Sequence, residues 1–287
     1  MTTISRRQFL GRSAAGIAAL GYLARGAADL MADPLGFPIG SQTWTVRESI
    51  GKDFDGTLRL LAADGYKAIE MCSPPGYEDT GFGPLMSIKA AEMRQRIHAA
   101  GLVCESCHYG FDELKEHLDE RVAFAKELGL KQMIIASFGL PKDATLADWM
   151  RAADETNKLG ERARQAGMLL GFHNHDFEFG KIGGQLIYDK LLSEFDPHAV
   201  KLQFQVAVVR LGYQAADYFE KYPGRFVSMH LADWSPEKKR QVPLGQGVVD
   251  WKKTFAAAKT GGVKDYFLEM DPDAMKSSLP FLHGLTV

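Results

Sequence analysis

Short apolar, β-prone runs recur along this chain at a steady interval. They begin near Ile39, Lys67, Leu102, Gln132, Met168, Val200, Phe226 and Lys264, about 26 to 38 residues apart. That interval is the room taken by one strand, one helix and two loops. Between the runs lie stretches with helical periodicity, among them Ile88–Ala100, Glu113–Leu128, Leu146–Ala166 and Ala215–Tyr222. Gly101, Gly129, Gly167 and Gly262 fall where a left-handed helix cap favours glycine. Eight strand–helix units predict one closed (β/α)8 barrel over residues 33–287, an α/β fold in a single domain. A doubly wound sheet is the alternative, but no Gly-x-Gly-x-x-Gly follows the first strand.

In such a barrel the chemistry sits at the carboxyl ends of the strands. Polar side chains there become site candidates: Gln42 and Trp44, Glu70, His108, Ser137, His173 to Glu178, Gln205, His230 with Asp233, and Glu269 with Asp271. Oxygen and nitrogen donors on successive strand ends are what a divalent metal needs. Each residue alone is more often solvated or structural than catalytic, and it is their succession that reverses the balance.

The amino terminus stands apart from this rhythm. Ser5-Arg6-Arg7-Gln8-Phe9-Leu10 precedes an uncharged, alanine-rich stretch from Ser13 to Ala24. That pattern reads as a twin-arginine export signal over residues 1–28, with small residues at Gly26, Ala27 and Ala28 for cleavage. The expected partner is the twin-arginine export machinery and the expected location the periplasm. The apolar run is too short for a stable membrane anchor, which needs about 20 residues.

Removing 1–28 takes away four arginines and no acid, leaving 30 basic against 36 acidic residues, a charge of −6. A negative surface opposes nucleic-acid binding, which draws on Lys and Arg. Three cysteines, Cys72, Cys104 and Cys107, are too few to staple a fold. Cys104-Glu105-Ser106-Cys107-His108 has the spacing of a haem-attachment motif. Its position in and after the third strand, rather than at the opening of a helix, argues against that use.

Five segments carry a family resemblance: His-Asn-His-Asp-Phe-Glu-Phe at 173–179, Tyr-Phe-Glu-Lys-Tyr-Pro-Gly-Arg-Phe at 218–226, His-Leu-Ala-Asp at 230–233, Pro-Leu-Gly-Gln-Gly-Val-Val-Asp-Trp at 243–251 and Leu-Glu-Met-Asp at 268–271. With them the chain resembles the xylose-isomerase-like TIM barrels, also called sugar phosphate isomerases/epimerases. The resemblance implies one divalent metal held by Glu178, Gln205, His230 and Glu269, with Mn2+ or Mg2+ expected and Zn2+ or Co2+ as alternatives. Gln205 stands where the family has an acid, and the strand-five ligand is left open among His173, His175 and Glu178.

The implied activity is isomerisation or epimerisation of an unphosphorylated sugar or keto-sugar through an enediolate. Glu178 and Glu269 would be the paired acid–base groups. Trp44, Glu70, His108, His173, His175, Asp233 and Lys238 would contact the carbohydrate substrate. No glycine-rich phosphate cradle is visible. The same enediolate can expel a leaving group, which would make a lyase or hydrolase of 3-keto-glycosides. A sugar-binding protein without catalysis is the reading from another class, and the sequence sets no oligomeric state.

Overall fold

The computed structural model describes residues 34–287. The export segment expected at 1–28 lies outside them. Eight parallel strands close into one barrel: β1 Ile39–Gln42, β2 Ala68–Cys72, β3 Val103–Gly110, β4 Gln132–Ser137, β5 Leu169–His173, β6 Val200–Gln205, β7 Phe226–Leu231 and β8 Asp265–Leu268. Each pairs with its neighbour in sequence, and β1 closes on β8 through Ile39↔Tyr266 and Ser41↔Leu268. Helices follow in turn: α1 Arg47–Lys52, α2 Phe54–Asp64, α3 Ala90–Ala99, α4 Phe111–Leu128, α5 Leu146–Gln165, α6 Ile187–Glu194, α7 Ala215–Lys221, α8 Trp251–Gly261 and α9 Pro272–His283. The strands begin within one residue of the positions the apolar runs predict. Among the described residues no helix is long and apolar enough to cross a membrane.

The helices form for local reasons that the sequence carries. Thr145 caps α5, its hydroxyl accepting from the Asp148 amide while the Asp148 carboxylate accepts from the Thr145 amide. Trp149, Ala152, Ala153, Thr156, Leu159, Gly160 and Ala163 then make one buried stripe at helical spacing. The outward faces of the strands meet such stripes. Phe204, fully buried, packs against Tyr188, Tyr218, Phe219 and Phe226 with ring centroids 5.3 to 6.0 Å apart.

Inside the barrel the register decides which side chains share a layer. Gly40 and Gly171 carry no side chain because Phe267 and Ile134 fill their space: a Cβ would come within 2.4 Å of Phe267 and 2.6 Å of Ile134. Two irregularities re-aim residues. The register passes from Ile69↔Cys104 to Glu70↔Ser106, so Glu105 is an extra residue in β3. A second step, from Leu202↔Phe226 to Gln203↔Ser228, makes Val227 extra in β7. Each bulge reverses the alternation beyond it, so Ser106 and His108, and Ser228 and His230, share the inner face with Glu70 and Gln203.

The amino-terminal end of the barrel interior holds Asp265, which accepts a hydrogen bond from the Gln132 amide at 2.9 Å. Burial and the nearby Glu105 push its carboxyl up to about 6. The folded state therefore binds this proton more tightly than the unfolded chain. The stability this confers is complete below the ordinary value of 3.8 and is lost as pH rises through about 6. Asp265→Asn, which cannot ionise, should be more stable than the parent at neutral pH by about 1–3 kcal/mol. Its denaturation midpoint should also lack the parent's decline between those two pH values. Equal stabilities at neutral pH would show that the carboxyl does not ionise at a cost.

Candidate active site

Glu70, in the middle of β2, is a fully buried carboxylate with five polar partners. One oxygen accepts from the Gln203 amide at 2.8 Å and from the Ser106 hydroxyl. The other accepts from the Gln42 amide at 2.6 Å and lies 2.5 Å from His230 Nε2 and 3.2 Å from His108 Nε2. Burial alone would make it neutral, but the His108 and His230 rings and their hydrogen bonds hold it well below the usual carboxylate range. His230 then spans two carboxylates, its Nδ1 lying 2.8 Å from Glu269. Despite burial, Glu269 and Glu70 push its ring up to about 9. Glu269 also accepts from the Gln205 amide at 2.6 Å, and burial of its carboxylate is outweighed by the charge on His230. At 18% side-chain exposure, Glu269 is the carboxylate of this network that reaches solvent.

His173 completes the centre from β5. Its ring lies 5.0 Å from that of His108 and 4.5 Å from that of His230, and one ring nitrogen from each of the three falls within a 4.8 Å cluster. Both nitrogens of His173 are buried without a hydrogen-bond partner. Gln203 is close by, but its two amide hydrogens go to Glu70 and Ser228 and its oxygen to His108. Burial and the neighbouring histidines hold the His173 ring well below its ordinary value, which leaves it neutral with a lone pair available. A buried imidazole with no protein partner, beside two others, suits a metal ligand. These three histidines can hold a metal ion.

The other expected residues take different places. Glu178 lies in the turn after β5, its Oε2 accepting from the His175 amide at 2.7 Å and its Oε1 unpartnered. Burial pushes its carboxyl up to about 8. It lies apart from the three-histidine cluster, and its hydrogen bond stays within its own turn. His175 stands edge-on to His173 at 4.8 Å, and burial lowers its ring to about 4. Trp44 lies under the Arg47 guanidinium, 4.5 Å from its ring centre, and 5.9 Å from Tyr77. Lys238 is exposed at the tip of a two-stranded hairpin, Asp233–Ser235 with Arg240–Val242. The Ser137 hydroxyl accepts from the Gly139 amide and serves its own loop. Asp271 caps α9. Within the haem-attachment spacing, Cys104 and Cys107 are buried free thiols on β3 and His108 belongs to the Glu70 network.

Asp233, expected at the substrate, is used otherwise. One oxygen accepts from the Trp234 amide at 2.9 Å and the Val249 amide at 3.2 Å. The other accepts from the Gly245 and Gly247 amides and from Trp251 Nε1, at 3.0, 3.2 and 2.9 Å. The Pro-Leu-Gly-Gln-Gly-Val-Val-Asp-Trp segment is thus a loop wrapped round one carboxylate. A Cβ at position 247 would lie 2.0 Å from Asp233 Oδ1. Sequence reasoning passed over Ser106, Gln203 and Ser228. Gln203 had a signal, since it sits two residues before Gln205 in a strand and shares its face. Ser106 and Ser228 had none, because their direction depends on the bulges.

Replacing Asp233 by Ala strands five N–H donors, four of them main-chain. The loss should lower stability by about 3–5 kcal/mol and expose the 243–251 loop to protease. Denaturant midpoints and limited proteolysis measure this. A protease-resistant variant of parental stability would remove Asp233 from this role.

Comparisons with known proteins agree with the architecture. Residues 58–282 match the family model described as xylose isomerase-like TIM barrel. An inosose dehydratase from Clostridium perfringens is 27% identical over 259 residues, covering 78% of this chain and 85% of that protein. A sugar phosphate isomerase/epimerase structure from Parabacteroides distasonis superposes with a TM-score of 0.70 at 25% identity, covering 86% of this chain and 93% of that one. The structure of the IolI protein with a bound zinc atom shares the fold, with a TM-score of 0.62 at 14% identity, covering 86% and 95%. With a family model spanning most of its length and a closed barrel carrying its polar centre at the strand ends, the chain belongs to the xylose isomerase-like TIM barrel family.

Proposed function

We propose that this protein is a metal-assisted lyase acting on an unphosphorylated keto-sugar. It removes the proton next to the carbonyl and expels a group from the following carbon. The observation that carries this reading is Glu269, a solvent-reaching carboxylate hydrogen-bonded to His230 and adjoining the three-histidine cluster. Gln205 fixes the orientation of Glu269 at 2.6 Å and the edge of that carboxylate is open to solvent, so it meets the geometric requirements of a general base.

His108, His173 and His230 would hold the metal, and three imidazoles favour Zn2+ or Co2+ over the Mn2+ or Mg2+ expected from the family resemblance. A bound ion supplies positive charge beside the substrate oxygens and so acidifies the neighbouring C–H. The chain itself positions and removes the proton. Glu70 holds the His108 and His230 rings from inside the barrel, and Glu269 takes the proton at its exposed edge. The C–H electron pair becomes a carbon–carbon double bond. The bond to the leaving oxygen breaks, and that oxygen takes the proton back from Glu269 and departs as water or an alcohol. The inosose dehydratase relatives support this outcome, their name describing loss of water from a keto-sugar.

Isomerisation or epimerisation is the second reading, supported by the structural neighbour called a sugar phosphate isomerase/epimerase. It needs a second group to return a proton to carbon. Glu178, expected for that part, is buried with one oxygen tied to its own turn, so a single open carboxylate suits elimination better. The twin-arginine pattern at 1–28 supports action in the periplasm.

Two measurements test the proposal. Keto-sugars incubated in deuterated water should exchange their α-hydrogen with the wild type, and Glu269→Gln should slow this by at least about 100-fold. Undiminished exchange would take the base role from Glu269. Dialysed wild type should retain close to one zinc or cobalt ion per chain by elemental analysis, and His173→Ala should retain little. Equal retention would place the metal elsewhere.

A further inference from the structure

A ladder of aromatic rings runs from the histidine cluster to the surface. His175 lies edge-on to His173, at 4.8 Å and 80°. Phe177 stacks face to face on His175, at 5.1 Å and 13°. Trp149 supports Phe177 from the side at 6.3 Å. Phe177 nonetheless remains 48% exposed, although it is only four residues from His173. Leu211 is 44% exposed on the loop that follows β6. The strands β5 and β6 are neighbours in the barrel, and an Asp176–Arg210 ion pair joins the loops that carry the two apolar side chains. Few large apolar side chains among the described residues are this exposed, and these two share one sector of the rim.

Leaving such surface in water forgoes about 25 cal/mol for each Å² that a partner could cover. One face of the Phe177 ring is fixed on a site histidine, which removes the entropy cost of ordering it on binding. The ladder is also continuous with the centre, from His173 through His175 to Phe177, so the exposed ring borders the site. We infer that Phe177 and Leu211 seat the leaving group of the substrate, an aromatic ring joined through oxygen to the keto-sugar, so that the substrate class is an aryl-bearing keto-glycoside. This rests on the elimination reading above. In that reaction the proton goes to Glu269, and the carbon–oxygen bond to the aglycone breaks with its electron pair staying on oxygen. That oxygen takes the proton back from Glu269, so that the aglycone leaves as the alcohol.

The 3-keto derivatives of benzyl and methyl β-glucoside test this, because their leaving oxygens have similar basicity and only one carries a ring. Stacking is worth about 0.5–1.5 kcal/mol, which converts to a preference of roughly 2- to 12-fold. The wild type should therefore bind the benzyl compound more tightly by that factor, seen in KM and in direct titration. Phe177→Ala should erase the preference and Phe177→Trp should keep it, with thermal melts confirming that both variants fold. Equal affinity of the two compounds for the wild type, a preference that survives in Phe177→Ala, or no binding of either would each overturn the inference. Turnover of both compounds without preference would overturn it while leaving the elimination reading intact. A Phe177-dependent preference without hydrogen exchange or turnover would keep the seat and sink the elimination.

Discussion

A single buried carboxylate sets the geometry of this site. Glu70 is cut off from water in the barrel interior, where an unpaired charge would cost several kcal/mol. Its ionised form survives because Gln42, Ser106 and Gln203 donate to it and His108 and His230 lie against it. Those partners come from β1, β2's neighbour β3, β6 and β7, so one side chain ties together strands from opposite sides of the barrel. The arrangement works in both directions. The strands keep Glu70 charged, and Glu70 keeps the two imidazole rings from turning.

The consequence reaches the mouth. With Nε2 lying against Glu70, the His230 ring turns Nδ1 toward Glu269, and Glu269 sits where a carboxylate of the network meets solvent. His173 stands outside this network: both of its ring nitrogens are buried without a hydrogen-bond partner. A folded interior normally pairs such groups. A ligand that accepts a lone pair resolves the imbalance, which links the internal network to the proposed chemistry without a separate argument.

The legible part of this structure was whatever repeats. Eight apolar runs at strand–helix spacing identified the barrel and placed its strands to within a residue, because hydrophobic periodicity reports burial directly. The strand-end rule brought forward Glu70, His108, His173, His230 and Glu269, all now within one network. The illegible part depended on register and on side-chain direction. The bulges at Glu105 and Val227 leave no mark in composition, yet they decide that Ser106 and Ser228 face inward. Glu178 drew attention as a carboxylate beside a strand end, but it falls in the turn beyond β5, where it accepts from the His175 amide of the same turn. Asp233 was conspicuous for the same reason and serves a loop.

Loop and site nevertheless depend on one another through β7. His230 and Asp233 are three residues apart, and one carboxylate fixes each: Glu70 holds the imidazole inside the barrel, while Asp233 gathers the 243–251 loop above it. An error in the strand's register would move both together, taking the histidine cluster and the 243–251 loop out of place at once. The bulge at Val227 sets that register. This explains why two motifs separated in sequence, His-Leu-Ala-Asp and Pro-Leu-Gly-Gln-Gly-Val-Val-Asp-Trp, act as one structural unit. The first supplies an imidazole to the barrel interior and a carboxylate just beyond the strand, and the second is the backbone which that carboxylate organises.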